Sequence, residues 1–297
     1  MNRTLIFVPG NSARFISSAK KSNADIVCFD LEDSVPYHEK SSARKMIGEA
    51  ISHTDDFKNT FSLYVRTNSY DSGLLFTDLT AVIQKGITGV VIPKVNDNTE
   101  ISEISSFISR LEIERKIGHD VIKVVPSIET AKGVVNAYSI AKSDIRVNLL
   151  VFGVFDFLND MHLEYVENGG IEYSYARAKI PVDARAAGVA AIDAIWQKVD
   201  DMNGLINDTI LAKRLGYVGK CIIHPTQIEP VHKIFIPSKN EVEWAKKIIE
   251  SLGPSMEKGS KTGAVRIDGR MIDAVHYKHA KTILNNINED SQPYSEL

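Results

Sequence analysis

Two acids stand where apolar runs stop. Glu129 follows the run in "VVPSIETAKG" (124–133), and Asp156 closes the run in "LLVFGVFDFLND" (149–160). Neighbouring parallel strands lie about 4.8 Å apart. Two carboxylates ending consecutive strands at one height can therefore grip a single ion. Two carboxylates completed by waters and a chelating ligand suit Mg2+, which is rarely caged by protein alone. No His/Cys cluster and no H-E-x-x-H is present, so zinc is not indicated. For either acid alone the plainer roles are to cap the following helix or to pair with a nearby lysine.

Further charged residues sit at equivalent places. Arg66 ends the run in "LYVRTNS" (63–69), where a guanidinium can hold a carboxylate bidentately or stabilise an oxyanion formed during reaction. It can equally pair with Asp30 or Glu32 of "DLED" (30–33). On a continuing strand Asp30 and Glu32 point to one side. There they can orient Arg66 or Mg2+-bound waters, or form ordinary salt bridges. Lys94 in "IPKV" and His224 in "IIHPTQ" are weaker candidates, and His224 reads as a packing residue. In "FVPGNSARFISSAKK" (7–21), a turn at Pro9-Gly10 leads into a helix start with Arg14, Lys20 and Lys21 nearby. Such a terminus can bind phosphate, although a basic solvated helix face has the same pattern. Neither GxGxxG nor GxxxxGK[ST] occurs.

The elements that must position these residues alternate along the chain. Strand-like runs lie at 4–10, 24–33, 61–68, 89–95, 123–130, 147–156, 190–196 and 216–224. Segments of helical periodicity lie between them, such as 100–117 and 131–144. The runs are almost continuously apolar, as burial on both faces of a parallel sheet requires. Eight such units predict an α/β fold, a (β/α)8 TIM barrel over 1–235, in preference to a doubly wound open sheet. Asp30, Glu32, Arg66, Lys94, Glu129, Asp156 and His224 all fall at the C-terminal ends of the runs, the face where a barrel builds its site. Residues 236–297 read as a C-terminal helical appendage with too little core for a separate domain. It holds a helix opened by Ser238-x-x-Glu241 and ended at Gly253-Pro254, a flexible linker, an extended piece with a helix, and a frayed end.

With 297 residues the chain can bury a sizeable core. A formal charge of -3 gives no case for nucleic acid or an anionic membrane. No run reaches the ~20 apolar residues of a membrane helix, and the apolar start breaks at Pro9-Gly10, too soon for a secretory signal. Cys28 and Cys221 lie within apolar runs and make no disulfide framework, so a cytoplasmic location is expected.

Taken in order, "LIFVPGNSARF", "ADIVCFDLEDSV", "YVRTN", "VVIPKV", "SIETAKGV", "VFGVFDFLNDM", "YARAKIPVDARAAGVAAID", "GYVGKCIIHPTQIEPV" and "DGRMIDAVHYKHA" resemble the citrate lyase β-subunit-like family of the phosphoenolpyruvate/pyruvate barrel superfamily. The resemblance implies a Mg2+-dependent carbon–carbon lyase acting on 3-hydroxyacyl thioesters of coenzyme A or of an acyl carrier. It assigns Glu129 and Asp156 as metal ligands and Arg66 as the catalytic arginine, with the backbone after Gly153 close to the keto acid. It also makes Asp273 an acid lent from the C-terminal helix to a neighbouring subunit, hence a base and a homotrimer. Pro9, Arg14 and Lys20 become candidates for the CoA. The chain departs from the family pattern at His162-Leu163, commonly Leu-Gly, and at Val275, often proline. Malyl-CoA or citramalyl-CoA cleavage is the first expectation. The alternatives are the β subunit of a carrier-dependent citrate lyase, a malyl-CoA thioesterase, an aldolase on free hydroxy keto acids, and a non-catalytic binding barrel.

Overall fold

The computed structural model describes residues 2–53, 61–166, 170–257 and 264–289. Eight strands, β1 (Thr4–Pro9), β2 (Ile26–Asp30), β3 (Ser62–Arg66), β4 (Gly89–Ile92), β5 (Lys123–Ile128), β6 (Leu149–Phe152), β7 (Ala190–Asp193) and β8 (Gly219–Ile222), form a closed barrel in chain order. All eight pairings are parallel, and β1 closes on β8. The crossovers carry α1 (Ala13–Ala19), α2 (Lys40–Ser52), α3 (Leu75–Val82), α4 (Asn98–Glu114), α5 (Ala131–Lys142), α6 (Val154–Asp160), α7 (Ile171–Ala187) and α8 (Met202–Leu215), and α9 (Ile228–Phe235) follows β8. The barrel expected from the alternation is therefore the observed fold, and the open sheet is set aside.

The near-continuous apolar runs have a direct cause. Leu5, Ile26, Cys28, Tyr64, Val91, Val125, Leu149, Val151, Ile192 and Cys221 form one cluster that fills the barrel. Residues alternating with them, such as Val27, Phe29, Val65, Val90 and Leu150, are also fully buried, as strand periodicity demands when helices cover the outside. Both cysteines are free and buried, and burial pushes both thiols up.

The strands end earlier than their apolar runs do. β6 stops at Phe152, because Gly153 becomes the residue that caps α6. Asp156 thus lies in the first turn of α6 and not at a strand end. Likewise β2 stops at Asp30, so Glu32 sits on the loop beyond it.

The chain divides into two compact units, Met1–Val231 and His232–Leu297. The second unit contains α10 (Lys239–Glu257), the antiparallel pair β9 (Ala264–Ile267) and β10 (Arg270–Asp273), and α11 (Ala274–Glu289). The expected capping box opens α10: Glu241 N donates to Ser238 Oγ at 3.2 Å, and Ser238 N donates to Glu241 Oε2 at 2.8 Å. The helix does not end at Gly253-Pro254 but runs to Glu257. Half of the expected linker (258–263) and most of the frayed end (290–297) lie outside the described residues. The extended piece is a hairpin whose turn residues, Asp268 and Gly269, have φ of 47° and 79°. Asp-Gly meets that demand for two left-handed residues. This unit has a small core of its own: Ala245, Ile248, Leu252, Ile272, Tyr277 and Ala280 pack together.

Candidate active site

The mouth of the barrel is built on a strand pair in register. Asp30 and Arg66, the last residues of β2 and β3, are ladder partners, so their side chains emerge side by side. Arg66 Nε and Nη2 donate to Asp30 Oδ1 and Oδ2, each at 2.7 Å. Asp30 Oδ1 also accepts from Glu32 N at 2.9 Å, and Oδ2 from Ser34 N at 3.0 Å. Burial of Asp30 opposes ionisation, yet the Arg66 charge and hydrogen bonds hold it at about 2. Phe7 of β1 lies under the guanidinium, 4.7 Å from its ring centroid. The pairing foreseen as the alternative for Arg66 is thus made. It locks one edge of the guanidinium and leaves Nη1 facing Glu32 Oε2 at 3.1 Å and Asp33 Oδ2 at 3.6 Å.

Glu129 follows β5 and is 4% exposed. Helix α5 is capped by Thr130, whose hydroxyl accepts from Gly133 N at 2.9 Å, so Glu129 is not needed as a cap. Its Oε1 accepts instead from the backbone N–H of Lys94 at 2.7 Å. Its other side lies over Gly153. A Cβ built there would stand 2.0 Å from Glu129 Oε2 and 2.7 Å from Glu129 Cβ. Gly153 therefore keeps the space that the carboxylate occupies. Asp156, on α6, contacts the same lysine, with Oδ1 3.2 Å from Lys94 Nζ. One acid is held at the backbone N–H of Lys94 and the other at its ammonium.

Lys94 was a weak candidate in the sequence and is the hub of the site. Its Nζ donates to Glu32 Oε1 at 2.6 Å. Its φ of 55° is left-handed, a conformation that costs a residue with a Cβ. Against burial, Glu32 above all raises its pKa, and the ammonium stays charged. Glu32 itself is pushed up to about 7 by burial, which Arg66 only partly offsets. Glu129 goes up to about 8 through burial, then through the negative charges of Glu32 and Asp156.

The donor set suits a small divalent cation. Asp30, Glu32, Asp33 and Asp156 make ion pairs with two cations, Arg66 and Lys94, while Glu129 is buried beside them with its proton held to high pH. Lys40 Nζ is engaged by the Leu31 and Glu32 carbonyls. Burial plus like charge disfavours the Glu129 anion, and a bound cation reverses that. Among the described residues no group of three or more His, Cys, Asp or Glu side chains is arranged to hold a metal ion by itself. Two carboxylates with open positions fit Mg2+ and its waters. A buried charge cluster elsewhere in the barrel differs. Arg177 and Lys220 face Asp193 and Asp208 two against two, a balanced pairing behind β7 and β8 with no charge left for a ligand.

The remaining candidates fall elsewhere. Pro9 ends β1 as the ladder partner of Asp30, at the mouth. Arg14 is exposed in the first turn of α1, whereas Lys20 is the residue after its last turn. The two cations lie at opposite ends of a seven-residue helix, about 9 Å apart along its axis, so they do not jointly frame its N-terminus. His224 is exposed, with Nδ1 accepting from Thr226 N at 3.3 Å, a cap and not a packing residue. Asp273 ends β10 just ahead of α11 instead of lying on the helix. Its Oδ1 takes His276 Nδ1 at 2.7 Å and the N–H of Val275 at 3.0 Å, a bond that proline at 275 could not make. The hydrogen bond from His276 is the main reason its carboxyl is lowered. His162, with φ of 56°, follows α6. Among the described residues no helix is long and apolar enough to cross a membrane.

The profile of the HpcH/HpaI aldolase/citrate lyase family matches residues 3–225. The chain is 34% identical over 298 residues to the citrate lyase subunit beta of Leuconostoc mesenteroides subsp. cremoris, covering 100% of this chain and 96% of that one. It is 30% identical to the mitochondrial citramalyl-CoA lyase of Homo sapiens, covering 97% and 86%. A crystal structure of a citrate lyase from Burkholderia xenovorans superposes with a TM-score of 0.87 at 17% identity, over 100% of this chain and 94% of that one. The CitE protein of Mycobacterium tuberculosis, in complex with magnesium, acetoacetate and coenzyme A, superposes at 0.77 with 24% identity, over 97% and 98%. Likeness at such identity establishes the barrel fold and no more.

Proposed function

The chain belongs to the HpcH/HpaI aldolase/citrate lyase family and is a carbon–carbon lyase. From that premise we propose that it cleaves a 3-hydroxyacyl-CoA of the citramalyl or malyl type into acetyl-CoA and a 2-keto acid, with Mg2+ held by Glu129 and Asp156. One observation carries the reading. Glu129 and Asp156, from β5 and α6, converge on Lys94 beside an arginine clamped by Asp30. When bound, Mg2+ supplies a Lewis acid that polarises substrate oxygens and makes a hydroxyl easier to deprotonate.

The protein's own groups do the rest. Asp30 and Phe7 fix Arg66, so that an oxygen gaining negative charge has only to take the place of Glu32 and Asp33 at the Nη1 edge. In the retro-Claisen step a base removes the 3-hydroxyl proton, the C2–C3 bond breaks, and Arg66 stabilises the thioester enolate oxygen until carbon is protonated. We assign the base to Asp273 of a neighbouring copy, which makes the working form a homotrimer. Gly153 holds open the space in which the Glu129 carboxylate stands. Two buried free thiols accord with a reducing cytoplasm.

The second reading, a β subunit of a carrier-dependent citrate lyase, is favoured by the 34% identity to a citrate lyase subunit beta along the whole chain. A panel of malyl-, citramalyl- and citryl-thioesters, each on CoA and on an acyl carrier, separates the two when acetyl thioester and keto acid are both measured with Mg2+ and with EDTA. Turnover of CoA thioesters that EDTA abolishes supports the proposal. Cleavage confined to the carrier-bound citryl thioester selects the second reading, and cleavage unaffected by EDTA overturns the metal assignment.

A further inference from the structure

The proposed ligands share one neighbour whose charge opposes a metal. Lys94 Nζ lies 3.2 Å from Asp156 Oδ1 and 2.6 Å from Glu32 Oε1, while the N–H of the same residue holds Glu129 Oε1 at 2.7 Å. This double engagement is built into the backbone, because the left-handed turn at φ 55° directs both groups at the mouth. A left-handed lysine is unfavourable unless its surroundings impose it. The side chain is 31% exposed, so the ammonium has room to move.

Resting on the proposed function, we infer that Lys94 is a positioning residue that works as a built-in counter-cation. Its N–H fixes Glu129 Oε1 in every state, which leaves Oε2 for the metal. Its ammonium occupies Asp156 while no metal is bound and withdraws to Glu32 when a divalent ion takes Asp156. Lys94 thereby weakens the resting affinity for the ion and keeps Asp156 placed at the mouth. The balance is electrostatic: a tethered positive charge beside a dication lowers its affinity, and removing that charge raises it.

The test is Mn2+ binding to the protein without substrate, followed by the electron-paramagnetic-resonance signal of free Mn2+, with Mg2+ competition. Lys94→Met removes the charge and keeps the length. Lys94→Gly removes the side chain and suits the left-handed backbone. Both retain the N–H on Glu129, and circular dichroism checks the fold. Each variant is expected to bind Mn2+ at least tenfold more tightly than the parent. Unchanged affinity in a folded variant overturns the inference. Weaker affinity overturns it too, and makes Lys94 a structural support for the ligands. Glu129→Gln in the same titration separates the two ideas. If it leaves Mn2+ binding intact, the metal assignment itself fails. If it abolishes binding while the Lys94 variants do not tighten it, only the present inference falls.

Discussion

Replacing Glu129 by glutamine tests the proposed metal site through stability alone, without a substrate. Glu129 is buried, and burial with the charges of Glu32 and Asp156 carries it from 4.5 to about 8. An acid raised in the folded state keeps its proton there while the unfolded chain has already lost it, so stability falls as pH rises between the two values. The loss is absent below pH 4.5 and complete above about 8. Each pH unit is about 1.4 kcal/mol, so by pH 7 keeping this side chain protonated costs roughly 3 kcal/mol, part of it shared with Glu32 and Asp156. Glutamine keeps the oxygen that accepts from Lys94 N and has no charge to bury. In EDTA at pH 7, Glu129→Gln is therefore expected to melt about 4–6 °C above the parent, and the gap should close at pH 4.5. Adding Mg2+ should close most of that gap. The parent gains about 2.7 kcal/mol at a hundredfold excess over its Kd, and the variant gains nothing. Thermal melts at four pH values, with and without Mg2+, give the answer. Equal melting across pH 5–8 in EDTA, or equal stabilisation of both proteins by Mg2+, refutes the reasoning.

Three other outcomes follow from the same geometry. Gly153→Ala puts a methyl 2.0 Å from Glu129 Oε2 and 2.7 Å from its Cβ; steady-state assays over a Mg2+ series should show a loss of about 100-fold in kcat/KM, as expected for a displaced group. Asp30→Asn leaves the Arg66 guanidinium without its carboxylate, and denaturant melts at pH 7 should show a loss of about 3 kcal/mol or more. Because Asp30 is lowered from 3.8 to about 2, its stabilisation is full above pH 3.8 and fades as the pH falls toward 2, so the deficit of the variant should shrink over that interval. Cys28 and Cys221, buried in the barrel with raised thiols, should stay unreacted with a maleimide in the native protein and both react in denaturant, as mass spectrometry reads directly.

How much of this was legible in the residues depended on the range of the signal. Strand order and the gathering of charges at one mouth follow from repeated local patterns, and the barrel obeys them. Glu129 was correctly placed because its run ends in Ser127-Ile128 and the next helix has its own cap in Thr130. Asp156 was assigned to a strand because "GVFDF" continues the apolar run without a break in hydrophobicity; only the turn of the chain at Gly153 makes those residues helical. The family resemblance puts the backbone after that glycine near the keto acid, whereas its structural work is to make room for the carboxylate that follows the neighbouring strand, a contact between residues 24 apart that no local pattern encodes. The Arg66–Asp30 clamp was foreseen as an alternative, but the ladder register that makes it bidentate was not. The Asp268-Gly269 hairpin carries a local signal of its own, a two-residue turn flanked by short apolar alternation.

Lys94 shows the limit most sharply. In "IPKVND" it reads as one more polar strand end, and helix or strand propensity says nothing of a lysine at positive φ. Its importance comes from three carboxylates brought in from residues 32, 129 and 156, each by a different crossover. A lysine placed so deeply among acids is usually a stabilising partner. Here two of its three acids are proposed to serve a metal, and one ammonium cannot satisfy Asp156 while an ion does. The lysine and the metal must therefore exchange places at Asp156, and the cost of that exchange sets how tightly the resting site holds its ion.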